Sequence, residues 1–217
     1  MNTVVNRMTP SITTMIRLDH SHVLALSHRY TAGTSDSKKR ALVTNACIAL
    51  QVHAQLEEEI FYPALRNVLA GDEVLAKSEP EHQQIRELIG ELRERCTSEE
   101  PLDEAFDRKF MTLMRTVIHH VADEETELLP AAERLLSEDL ARLGAEMTRR
   151  RIELLKPHAR EAAVSAARSF PVGAATGAAL VTAGALAVGA MLWSRSRNGR
   201  AGEWRNLHGA GDDHHQR

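Results

Sequence analysis

HAQLEEEIFYPA, residues 53–64, and HVADEETELLPA, residues 120–131, are two versions of one pattern. Each opens on a His, carries Glu-Glu four and five residues later, and sets Pro-Ala ten residues after the His. His53 therefore matches His120, Glu57 matches Glu124, Glu58 matches Glu125 and Pro63 matches Pro130. Residues four apart on an α-helix share a face one turn apart. Each segment can thus aim an imidazole and a carboxylate at one point.

Working outward, the rest of the first 170 residues reads as long helical patterns with short breaks. Thr9 is expected to cap a first helix, with Pro10 in its first turn, running to about residue 31. TAGTSDS (31–37) interrupts it, and a second helix spans about 38–69 until Gly71-Asp72. Ser78 and Glu81 match a capping box that would open a third helix, tolerating Pro80, to about residue 95. After CTSEEP (96–101) a fourth helix runs from about 102 to 136. Four helices with short connections predict an all-α, up-down-up-down antiparallel four-helix bundle over 9–137, behind an N-terminal tail of residues 1–8. An amphipathic connecting helix rich in Arg and Lys follows over 138–170.

Composition agrees with this class. The chain has 217 residues, 43% hydrophobic and only 4% aromatic, an Ala/Leu/Val/Met profile that favours helices over a β-sandwich. A net charge of −3 argues against a dedicated nucleic-acid binder. Two cysteines, Cys47 and Cys96, exclude a disulfide scaffold and a four-cysteine zinc site. There is no Ser-His-Asp array, phosphate loop or dinucleotide fingerprint, and no group that points to an organic substrate. Eleven histidines are the unusual number.

The first and third helices each add an acid-His pair, Asp19-His20 and Glu81-His82. All four helices therefore offer one His that can face inward, and the second and fourth each add a Glu. Such a set cannot be buried unpartnered, because isolated charges in a core are very costly. Two divalent cations would resolve this, with each Glu bridging both and the imidazoles capping them from outside. Imidazole with carboxylate suits iron, and also manganese or zinc.

The pieces RLDHSHV, HAQLEEEIFYPAL, EPEHQQI and HHVADEETELLP together resemble the hemerythrin-like, or HHE cation-binding, family over roughly residues 9–150. The resemblance implies a four-helix bundle around a non-haem di-iron centre. Carried over by motif, the metal ligands would be His20, His53, Glu57, His82, His120 and Glu124, with Glu57 and Glu124 bridging. Members of the family bind oxygen, respond to nitric oxide or redox state, or handle iron. Two departures bear on this. Where oxygen carriers have a second His one turn after the third-helix His, this chain has Arg86. Oxygen carriers also place the fourth-helix carboxylate five residues after its His; His119 with Glu124 keeps that spacing and His120 with Glu124 keeps the repeat. Glu58 or Glu125 could supply a further oxygen ligand.

Residues 171–193, PVGAATGAALVTAGALAVGAMLW, carry no charge, and at about 1.5 Å per residue they span roughly 34 Å, enough to cross a bilayer. Eight Ala and four Gly make the stretch weakly hydrophobic. It is expected to be a transmembrane helix, with Gly173 and Gly177 as a close-approach pair for a homodimer and residues 194–217 as a polar tail. The sequence-level expectation is a single-pass membrane protein whose cytoplasmic bundle binds two irons and meets a small gas or oxidant: oxygen, nitric oxide or peroxide. Metal binding or sensing is favoured over enzymatic turnover. The alternatives are a metal-free, membrane-anchored helical interaction module and a di-iron oxidase or nitric oxide reductase.

Overall fold

Five helices in sequence make up the computed structural model, which describes residues 10–161 except Ala32, together with residues 164 and 165. No strand occurs among the described residues. Helix α1 (Ile12–His28) begins at Ser11, whose Oγ accepts the Thr14 N–H at 3.2 Å. The cap is therefore Ser11, and Pro10 precedes the helix; Thr9 lies outside the described residues. Helix α2 begins as Asp36–Leu56, passes through a π-helical turn (Glu57–Phe61) and resumes as Tyr62–Arg66. Gly71, at φ 83°, reverses the chain in the left-handed conformation that favours glycine.

Helix α3 (Glu73–Thr97) starts five residues before the expected capping box. Asp72 Oδ1 accepts the Leu75 N–H at 2.9 Å, and burial of Val74 and Leu75 rewards the earlier start. Ser78 lies inside the helix, donating to the Val74 carbonyl at 2.9 Å, and Pro80 is an interior proline. Helix α4 is capped by Asp103 and runs Glu104–Asp123, then through a second π-helical turn (Glu124–Leu128) into Leu129–Leu135. Helix α5 (Leu140–Leu155) gives way to a 3-10 turn at Lys156–His158. Pro157, which has no N–H, interrupts the regular helix there, and residues 159–161, 164 and 165 are helical again, within the 138–170 expected.

Both π turns have the same cause. Pro63 and Pro130 sit inside otherwise continuous helices, where each would lose a hydrogen bond and strike the carbonyl four residues back. The chain widens instead: the Tyr62 N–H bonds the Glu57 carbonyl and the Leu129 N–H bonds the Glu124 carbonyl, each five residues back. The two matched glutamates thereby become the first residues of the two wide turns.

Consecutive helices α1 to α4 pack side by side, α1 on α2, α2 on α3 and α3 on α4, as short connections require of antiparallel neighbours. The interior has three layers. One apolar cluster gathers Ile12, Ile16, Leu56, Phe61, Leu65, Leu128 and Leu129. Another gathers Val23, Leu42, Leu50, Ile89, Phe106, Phe110 and Leu113. His20, His53, Glu57, His82, His120 and Glu124, all buried, fall between these clusters along the helices. Helix α5 packs on α1 and α2, adding Leu143 and Met147 to the first cluster. It can do so because residue 144 is glycine: a Cβ there would meet the Pro10 carbonyl oxygen at 2.2 Å.

No helix among the described residues is long and apolar enough to cross a membrane. The expected membrane segment 171–193, its Gly173/Gly177 pair and the tail 194–217 lie outside the described residues.

Candidate metal centre

Each of the first four helices delivers one imidazole to the polar layer, and the two π turns deliver one carboxylate each. His20, His53, Glu57 and Glu124 offer ligand atoms that all lie within 4.8 Å of one another. Glu57, His82 and His120 form a second such group, so Glu57 belongs to both. Within the layer, His20 Nε2 is 3.2 Å from Glu124 Oε2, and His53 Nε2 is 3.2 Å from Glu57 Oε2. His82 Nε2 lies 3.0 Å from His120 Nε2, and 3.5 Å from Glu57 Oε2. Glu124 Oε2 also stands 3.7 Å from His120 Nε2.

This donor set fits metal ions. All four rings turn Nε2 inward and Nδ1 outward. The Nε2 of His20, Glu57 Oε1 and Glu124 Oε2 are buried without a hydrogen-bond partner, which in a packed core calls for a cation. The electrostatics agree. Burial and the Glu124 charge push Glu57 well above the ordinary carboxylate range. Burial would do the same to Glu124, but the His20 imidazole 3.2 Å away and the other imidazoles around it hold it down to about 2. Burial would lower His20, yet Glu124 and Glu57 hold it up at about 9. Burial takes His53 down to about 4 and also lowers His82, so these rings are neutral and ready to ligate.

Every outward Nδ1 faces a carboxylate. The pairs are His20 with Glu125 at 2.9 Å, His53 with Asp19 at 3.6 Å, His82 with Glu58 at 3.0 Å and His120 with Glu81 at 2.8 Å. Such partners fix ring orientation and raise ligand basicity. Glu58 and Glu125 thus stand behind imidazoles, outside both ligand groups, where the sequence had left them open as extra oxygen donors. His120 carries its ring into the layer, whereas His119 is exposed and faces outward. The repeat spacing, not the five-residue spacing, describes the geometry. Arg86 also points away, with Nη1 at 2.6 Å from Glu58.

Tyr62 was not anticipated. Fully buried, its hydroxyl donates to Glu124 Oε1 at 2.9 Å and lies 3.4 Å from both Glu57 Oε2 and His82 Nε2. Burial and the two carboxylates push its pKa well up, so it is a phenol. On the side of the Val23 cluster the four imidazoles border a small cavity, walled by Val23, Leu50, Ile85 and Val117, with room for about one water-sized molecule.

Helix α5 reaches the centre indirectly. Arg151 grips Asp19 with two bonds of 2.5 Å, and Arg150 Nε holds Glu59, in the first π turn, at 2.6 Å. Burial opposes ionisation of Asp19, but His53 and Arg151 hold it down to about 2. Arg151 comes from far along the chain, and no local pattern announces it. Among the described residues the other histidines stay outside the centre: His28 Nδ1 donates to the Leu24 carbonyl of its own helix, and His158 approaches Glu161.

The family model described as "Hemerythrin HHE cation binding domain" matches residues 11–132, more than half of the chain. Neither the curated proteins nor the solved structures give a significant match. The matched span begins at the α1 cap and ends within the last turns of α4, so it encloses all six inward residues. The chain belongs to the hemerythrin HHE cation-binding domain family.

Proposed function

We propose that the bundle holds two iron ions, and that the centre binds or responds to a small gas or oxidant: oxygen, nitric oxide or peroxide. The observation that carries this reading is the pair of ligand groups sharing Glu57, one of four donors and one of three. His20 and His53 would hold one ion, and His82 and His120 the other. Glu57 and Glu124 would bridge them, and manganese or zinc would suit the same donors. Iron in such a site supplies electrons and open coordination positions. The His82 side has the fewer protein donors, so it has more room for an exogenous ligand.

The chain's own residues shape what could bind. The cavity beside the imidazoles is small and mostly aliphatic, which suits a diatomic gas or peroxide and excludes an organic substrate. On the other face, the Tyr62 phenol stands within reach of both carboxylates as a proton-bearing donor. Titration of the anaerobic, Fe(II)-loaded protein with nitric oxide tests the reading. A saturable optical change is expected, slowed when Val117→Leu narrows the cavity. No optical change at any nitric oxide concentration would overturn it.

The reading includes membrane attachment through residues 171–193, with the bundle on the cytoplasmic side. Its support is the sequence: the 23 residues 171–193 are uncharged and lie within the stretch bounded by Arg168 and Arg195. Full-length protein should fractionate with membranes and require detergent for release. Recovery in the detergent-free supernatant would overturn this part alone.

A further inference from the structure

Three of the four carboxylates behind the imidazoles share one arrangement, and the fourth departs from it. Glu125, Asp19 and Glu58 each stand between an Nδ1 and a guanidinium: Arg17 at 3.1 Å, Arg151 at 2.5 Å and Arg86 at 2.6 Å, respectively. Glu81 receives His120 Nδ1 at 2.8 Å, but among the described residues no Arg or Lys pairs with it. In the place of a guanidinium it meets His119 and Asp123. One ligand atom from each of Glu81, His119 and Asp123 lies within 4.8 Å of the others. His119 and Asp123 are one turn apart on α4, and Glu81 comes across from α3.

We propose that Glu81, His119 and Asp123 form a third, outer site for a divalent cation of the zinc or ferrous class, standing where an arginine stands behind the other three imidazoles. One imidazole and two carboxylates are a donor set these borderline cations accept, with water completing the coordination. His119 is exposed and Glu81 and Asp123 are half-buried, so a cation reaches the site from solvent without opening the bundle. Lys77 Nζ, 2.5 Å from Asp123 Oδ2, is the competitor. It is an exposed ammonium on a flexible stem, and a bound cation displaces it. The cation would then share Glu81 with His120, one imidazole away from the inner centre. The site uses none of the six inward residues, so it stands whatever fills them.

Zinc titration of the metal-free, full-length chain by calorimetry tests the proposal. Wild type should take up one equivalent more than His119→Ala. Lys77→Gln should bind that outermost equivalent roughly fivefold more tightly, since it removes the competing ion pair. Glu57→Ala with Glu124→Ala should lose the inner equivalents and keep the outer one, so the outer site and the inner centre fail separately. Equal stoichiometry in wild type and His119→Ala would overturn the outer site. If His119→Ala does not fold, an outermost equivalent unchanged in Lys77→Gln overturns it instead.

Discussion

Arg86 Nη1 lies 2.6 Å from Glu58 Oε1, and that same oxygen stands 3.0 Å from His82 Nδ1. The arginine that occupies the position of a family imidazole therefore acts from outside, through the carboxylate that orients His82. The His82–His120 side is left with two imidazoles. Glu58→Ala is expected to weaken metal binding by about 10- to 100-fold, the usual cost of losing an imidazole's outer partner. Arg86→Ala, which removes an exposed ion pair, should weaken it by no more than about fivefold. Chelator competition measures both. Equal losses would show that Arg86 has a role of its own.

Tyr62 supplies the hydrogen bond that Glu124 Oε1 accepts in the metal-free protein. Tyr62→Phe leaves that buried acceptor unpaired and should cost about 1–3 kcal/mol of stability. Bound metal compensates, so the loss should shrink when the centre is loaded. Urea unfolding with and without Fe(II) measures the difference. An equal loss in both states would place the phenol outside the metal's reach.

Metal uptake should release protons. In the metal-free chain Glu124 and Glu57 hold His20 up at about 9, and burial beside the Glu124 charge raises Glu57, so both hold their protons more tightly than in water. A ligating imidazole and a bridging carboxylate must give them up. Affinity should therefore rise from pH 6 to 8.5, by up to about one decade per pH unit for each proton displaced. The sign for stability is the reverse. Stabilisation from His20 in the metal-free fold is fully present below its ordinary value of 6.5 and is lost as pH rises through about 9. Calorimetry in buffers of different ionisation enthalpy counts the protons, and a count of zero contradicts this electrostatic reading.

Arg151 ties α5 to Asp19 with both partners largely buried, 16% and 17% exposed. Arg151→Ala leaves the Asp19 carboxylate without its cation and should cost about 1–3 kcal/mol. Arg151→Lys should recover only part of that, because one ammonium cannot reproduce the two-bond grip. Urea midpoints decide it. Full recovery by lysine would mean that charge, not geometry, holds α5 down.

Much of the centre could be read from the sequence because a helix converts spacing into direction. His53/Glu57 and His120/Glu124 are one turn apart, and burial of one face brings them into a single layer. Tyr62 had no such signal: its twin in the second segment is Leu129, but six other positions of the repeat differ as well. Pro63 and Pro130 follow the two π turns at the same spacing, but Pro80 lies inside α3 without one, so a proline alone does not foretell the turn. The start of α3 misled because Ser78 and Glu81 satisfy a cap pattern, while the folded chain commits Glu81 to His120 and caps with Asp72. Arg151 has no local signature; its partner lies 132 residues away.

The most direct test is the iron content of the full-length chain after anaerobic Fe(II) loading and removal of loose metal, beside Glu57→Ala with Glu124→Ala. Two iron ions per chain are expected in wild type and none retained at the inner centre of the double variant. A wild-type chain that retains no iron, or a double variant that still holds two, would contradict the two-metal centre bridged by these glutamates.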